Sequence, residues 1–344
     1  MERGSRSKLD ELVMSDYKFF LGLDENESVE YGKKSLADIT DEDEFKDIVL
    51  HLALFTNGKF LKLIYAELIE KEIFYPCEIY LHADEKIADK LIELIENNSK
   101  YVNHLLVCLA WIGTQNVVDF FIKSSEEKPE WTEKLYVLPR EYANEAGWII
   151  DEKNQRQYLV NKKISVFARQ HSNEEDQIQS KTFVEELSAC KFCENNLTRV
   201  FETEISLNKV PFSTCLLCSC YAPFFMKIDD EGKSLWHEAN KKWEHLDRFG
   251  FEMEKIKENT LVITNETRKP EFTISQFVAI SKSQIGGYPT WVQDSDYLDC
   301  PDCTRKMQFI GQIDMEDIED YSEGIYYFHY CKKCKITGTN YQQT

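Results

Sequence analysis

Cys300-Pro-Asp-Cys303, followed by Cys331-Lys-Lys-Cys334, decides how the C-terminal half of this chain is read. The same pattern occurs upstream, as Cys190-Lys-Phe-Cys193 and Cys215-Leu-Leu-Cys218. Each CxxC pair is matched by a second some 20–30 residues later, which is zinc-ribbon spacing. A zinc ion takes four thiolates in a tetrahedron. A CxxC knuckle presents two of them, and two knuckles on adjacent hairpins close the site. Two structural zinc ions are therefore expected, one on Cys190, Cys193, Cys215 and Cys218, the other on Cys300, Cys303, Cys331 and Cys334. Such closed sites leave no position for water or substrate, so they staple rather than catalyse. Cys220 stands two residues beyond Cys218, and either could be the fourth ligand of the first site. A redox reading of the pairs lacks the βαβ context it requires.

The sequence around the knuckles is rich in aromatic and β-branched residues. Strands are predicted in Thr260–Thr264, Phe272–Ser275, Met307–Ile313 and Gly324–Tyr330, with a strand–turn–strand in Met226–Leu235. One helix is predicted at Leu235–Phe249. Upstream, the apolar period is helical from Glu44 to about Glu145. Leu105 to Phe121 reads as helix, a Gly113-containing turn, and a second helix. That unit resembles a HEAT-type repeat, an αα-hairpin that must stack on neighbours to bury its face. Residues 1–43 read as a polar acidic segment, with a short helix near Leu9–Phe20, a solvated linker, and Asp41 capping the next helix. Apolar runs at 146–168 around Asp151–Asn154 suggest a hairpin, and 171–181 a linker. The fold class is α+β: a helical HEAT-like domain over 44–170, then a β-rich domain over 182–344 with two zinc-ribbon-type four-cysteine sites.

The 344 residues carry 61 acidic and 41 basic side chains, a formal net charge of −20. That field opposes nucleic acid and anionic membranes and favours a basic protein partner. Met1–Lys18 has no signal-peptide core, and the longest apolar run in the helical half, His104–Gly113, is about half a membrane span. A soluble, cytoplasmic protein is expected, a setting where paired cysteines serve metals rather than disulfides. Cys77 and Cys108 read as buried small hydrophobes.

No nucleotide-binding, kinase, hydrolase or HExxH motif is present. His237 and His245, eight apart on the predicted helix, could form an acid–base or metal pair, but an amphipathic helix anchored by Trp236 and Trp243 is the plainer reading. The acidic runs Asp229–Glu231 and Asp314–Glu323 read as a turn and an exposed face. Gln284-Ile-Gly-Gly-Tyr-Pro-Thr-Trp-Val-Gln293 is the most distinctive motif outside the cysteines. Gly-Gly opens backbone paths closed to other residues, and Trp291 is a large anchor, so the segment is either a ligand-facing loop or a buried turn.

Gln284–Gln293, Cys300–Cys303, Met307–Asp314 and Gly324–Phe328 together resemble the C-terminal part of the YwqG-like bacterial family, in its cysteine-bearing form. The similarity covers about the last 60 residues, and more weakly back to about residue 180. It implies a bacterial cytoplasmic β-rich domain and brings no catalytic residues. Toxin-immunity or scaffold roles are associated with such proteins at the level of fold alone. The reading is a non-enzymatic interaction protein. One alternative is a nucleic-acid-binding zinc ribbon using Lys332, Lys333 and Lys335 beside Tyr326, Tyr327 and Tyr330. Another is an enzyme with a site between the domains.

Overall fold

The computed structural model describes residues 17–38, 42–169, 182–244, 261–264, 268–269, 282–318 and 323–343. The predicted helix start at Leu9, the Asp41 cap, the 171–181 linker, the Phe272–Ser275 strand and His245 lie outside them. By internal contacts the chain divides into two units, with Tyr158 closing the first and Leu159 opening the second. The boundary expected near residue 170 thus falls earlier, because Asn161–Arg169 pairs as a strand within the second unit.

The first unit is helical: α1 (Tyr17–Gly22), α2 (Glu25–Asp38), α3 (Glu42–Phe55), α4 (Leu61–Glu70), α5 (Glu85–Glu96), α6 (Val102–Ile112) and α7 (Gln115–Glu127). Helix α2 replaces the expected linker. Asp24 accepts the amides of Asn26 and Glu27, and Glu27 returns a carboxylate to the Asp24 amide, a reciprocal cap. Buried Ser28, and Gly32 lying directly on the Phe60 ring, dock a face with few apolar residues. The α6–α7 hairpin turns at Gly113, φ 56°, as its position predicts. Helix α6 packs on α5 and on two 3₁₀ turns, Cys77–Tyr80 and Pro139–Ala146. A two-stranded hairpin, β1 (Trp148–Ile150) and β2 (Arg156–Tyr158), completes the unit. Trp148 Nε1 donates to the Ala110 carbonyl at 2.9 Å, and Arg156 donates to the Gly113 carbonyl.

The second unit contains β3 (Asn161–Arg169), β4 (Val184–Ala189), β5 (Asn196–Ile205), β6 (Asn208–Thr214), β7 (Phe224–Ile228), β8 (Ser234–Trp236), β9 (Leu261–Ile263), β10 (Gln284–Gly287), β11 (Gln308–Asp314), β12 (Ile325–Cys331) and β13 (Ile336–Gln342). Eight strands form one antiparallel sheet in the order β8-β7-β13-β12-β11-β10-β3-β9. Strands β4-β5-β6 form a smaller sheet. Alternation sends Tyr326, Phe328 and Tyr330 of β12 to one face. There they meet the small sheet, with Phe201 and Phe212 stacked 4.7 Å apart and Phe328 edge-on to Phe201 at 5.0 Å.

The helix predicted from Leu235 is absent over its described part. Ser234–Trp236 pairs with β7 instead, and Asn240 imitates a strand by accepting the Phe225 amide and donating to the Phe225 carbonyl. Asp314, expected on an exposed face, is buried at the end of β11, 3.9 Å from Lys282 Nζ.

Candidate metal centres

Four loop ends supply the first centre. Cys190 follows β4, Cys193 precedes β5, and Cys215 and Cys218 lie in the turn between β6 and β7. The second takes Cys300 and Cys303 from the turn before β11, Cys331 from the end of β12, and Cys334 from the β12–β13 turn. In each quartet the four sulfurs lie within 4.8 Å of one another. Cys190–Cys218 is 3.6 Å, Cys193–Cys215 3.4 Å and Cys303–Cys331 3.8 Å. A tetrahedron of sulfurs about 2.3 Å from a central ion has edges of about 3.8 Å, whereas a disulfide holds its sulfurs at about 2 Å. The geometry is that of two four-thiol groups able to hold metal ions, and all eleven cysteines are free of disulfides. Cys218 joins the first quartet. Cys220 turns away, with its sulfur 3.1 Å from the Leu216 carbonyl and 3.0 Å from the Tyr326 hydroxyl.

Local backbone shapes the knuckles. The Glu194 amide donates to the Cys190 carbonyl at 3.0 Å, and the Thr304 amide to the Cys300 carbonyl at 2.8 Å. Glu194, Thr304 and Lys335, each just past a second cysteine, hold left-handed φ of 65°, 57° and 54°. For a β-branched residue such as Thr304 this is strained, and it persists because the turn is over-determined.

Strand β7 runs between the two centres. Phe224 and Met226 pack with the first quartet, while Phe225, pointing oppositely, packs with the second. Asp302, inside the third knuckle, accepts from His237 at 3.1 Å and Lys227 at 3.2 Å. His237 thus braces the third knuckle, in the second centre.

The chain is 30% identical to YpfL of Salmonella typhimurium strain LT2, an uncharacterised protein, over 355 aligned residues covering 95% of this chain and 79% of YpfL. The chain belongs to the YpfL family. No protein-family model matches it, and no solved structure does.

In this YpfL-family chain the thiols of each quartet share protons unevenly. Hydrogen bonds from Cys193, Cys215 and Cys218 hold Cys190 far below the usual thiol range. The Arg305 amide brings Cys303 down to about 7. Burial pushes Cys331 up to about 12. Four adjacent thiolates repel one another, and a divalent cation removes that obstacle, so metal uptake must release protons.

The Gln284–Gln293 motif is the other built feature. Gly286 and Gly287 hold φ of 81° and 73°, and a Cβ on Gly286 would strike the Lys163 carbonyl. Side chains from three strands then pin the loop. Gln312 of β11 accepts the Thr290 amide at 2.8 Å, Tyr327 of β12 donates to the Thr290 carbonyl at 2.5 Å, and Gln342 of β13 accepts the amides of Val292 and Gln293 at 3.1 Å. Trp291 lands over Tyr327, ring centroids 4.5 Å apart. Tyr326, Tyr327 and Tyr330 are all buried, and Lys335 pairs with Asp230 at 2.7 Å, so these tyrosines present no stacking platform for bases. Cys77 and Cys108 are buried in the helical unit, both donating to the Phe74 carbonyl. No described helix is long and apolar enough to cross a membrane.

Proposed function

We propose that the chain is a non-enzymatic interaction protein whose β-rich unit is held by two structural zinc ions on Cys190/Cys193/Cys215/Cys218 and Cys300/Cys303/Cys331/Cys334. The observation that carries this is the sulfur geometry: four thiols within 4.8 Å, twice, on closed knuckles. All-thiolate tetrahedral sites select zinc or iron–sulfur clusters, and sulfur edges of 3.4–3.8 Å suit a single zinc ion. Eleven free cysteines fit a reducing cytoplasm. The resemblance to the YwqG-like family rests on the residues of Gln284–Gln293 and Met307–Asp314, two segments that meet as paired strands with Gln284 opposite Gln312.

The net charge of −20 points to a basic protein as partner, in a scaffold or toxin-immunity type of role. The test is capture on immobilised full-length chain from the lysate of the producing bacterium, eluted by a salt gradient. Recovery of a basic protein that then binds the purified chain with a salt-dependent rate supports the role. Recovery of nucleic acid instead, or of no specific partner in low salt, contradicts it.

A further inference from the structure

Beside the pinned loop, one face of the β12–β13 ladder is polar where a core should be apolar. Tyr327 and His329 of β12 point to this face, and their partners across the ladder are Asn340 and Gly338. Trp291 and Tyr297 close over them. Trp291 lies 6.4 Å from His329 with nearly parallel rings, Tyr297 lies 6.0 Å from His329, and Phe309 stands edge-on at 6.0 Å.

His329 is fully buried, yet neither ring nitrogen has a hydrogen-bond partner among the described residues. Trp291 Nε1 and Asn340 Oδ1 are likewise unmet. Each buried orphan costs about 1–3 kcal/mol, so three such residues gathered on one face of the ladder are an expensive arrangement for a merely structural core. The neighbouring charges are committed elsewhere. Lys306 donates to the Tyr297 carbonyl and to Asp299, and Asp296 accepts from Asn340 Nδ2.

We propose that Trp291, Tyr327, His329 and Asn340 form a binding site for an uncharged planar molecule with an amide or lactam edge. Trp291 supplies one N–H donor, a neutral imidazole supplies one donor and one acceptor, and the Asn340 carbonyl supplies a second acceptor. Two donors beside two acceptors match the adjacent C=O and N–H of an amide edge. The surrounding aromatic rings favour a flat guest, and among the described residues the nearby Lys306, Asp299 and Asp296 are already paired. Trp291 is itself only partly buried, so one wall of the cluster reaches the surface. This also gives the Gln284–Gln293 motif a purpose: side chains of β11, β12 and β13 hold the loop so that Trp291 faces His329.

The test uses the full, metal-loaded chain and two probes, uracil and nicotinamide, with benzoate and glucose as charged and non-planar controls. Binding is followed by calorimetry and tryptophan fluorescence. The expected result is saturable one-to-one binding of at least one probe and neither control, weakened about tenfold or more in both His329→Leu and Trp291→Phe. Trp291→Phe keeps the aromatic wall and removes only the donor, so it remains informative if His329→Leu fails to fold. Absence of saturable binding by both probes, with ordered waters on the His329 nitrogens in a crystal, overturns the proposal. So does binding that neither substitution alters.

Discussion

Removing the metal from the second centre should melt the segment around Cys300 while leaving the helical unit folded. Few buried apolar side chains support that centre: Leu298, Met307 and Ile336, beside Cys300 and Cys331. At about 1.5–3 kcal/mol each, the three stabilise by about 7 kcal/mol. Ordering the dozen or so residues from Ser295 to Lys306 costs about 1.5 kcal/mol apiece, or roughly 18 kcal/mol. The shortfall of about 11 kcal/mol lies at the lower end of the roughly 10–16 kcal/mol that a structural zinc ion contributes. Cys300→Ser, or a chelator of high zinc affinity, should therefore abolish hydrogen-exchange protection of the Thr304 and Met307 amides, which donate to the Cys300 and Leu298 carbonyls at 2.8 Å. Protection in α6 and α7 should stay within a few-fold of the untreated chain. Unchanged protection at Thr304 and Met307 after verified metal removal would refute the reasoning, because the apolar contacts would then suffice by themselves.

Other consequences follow from the same geometry. Cys218→Ser should lose one metal per chain, whereas Cys220→Ser, beside Tyr326, should retain both when the purified variants are compared by metal analysis. Gly286→Ala places a Cβ against the Lys163 carbonyl at φ 81° and should cost more than about 3 kcal/mol in urea denaturation; a loss under about 1 kcal/mol would contradict the β10–β3 register. Gly113→Ala, at the left-handed cap of α6, should cost about 1 kcal/mol. Burial raises the Glu78 carboxyl to about 7. A raised carboxylate favours the unfolded state once that state ionises, so the stability of the helical unit should fall as pH rises from about 4.5 to about 7. Glu78→Gln should flatten that slope in thermal melts, and an unchanged slope would assign it to another group.

The cysteine quartets were legible because their geometry is local: a CxxC turn fixes two ligands, and pairing at ribbon spacing supplies the rest. The α6–α7 hairpin was legible for a similar reason, since Gly113 marks a left-handed cap within a strong apolar period. What escaped depends on distant partners. Helix α2 has little apolar face, and it is fixed by the Asp24–Glu27 cap and by Gly32 meeting Phe60. The strand–turn–strand of Met226–Leu235 was legible as the β7–β8 hairpin. The helix read from Leu235 onward is not formed over its described part, because pairing with β7 carries the strand on to Trp236, tertiary context overriding propensity. Choosing Cys218 over Cys220 needed the fold of β12, because Tyr326 is what takes Cys220. His329 gave one faint signal, a lone imidazole in the aromatic run Tyr326–Tyr330. Only the ladder shows that it shares a face with Trp291 and Asn340.

The central claim is that eight cysteines hold two zinc ions, and elemental analysis of the purified full-length chain, paired with thiol titration under native conditions, tests it most directly. The account predicts about two zinc ions per chain and no more than about three reactive thiols, those of Cys77, Cys108 and Cys220. One metal or none, with the CxxC thiols reactive or joined as disulfides, would contradict it and make these pairs redox groups instead.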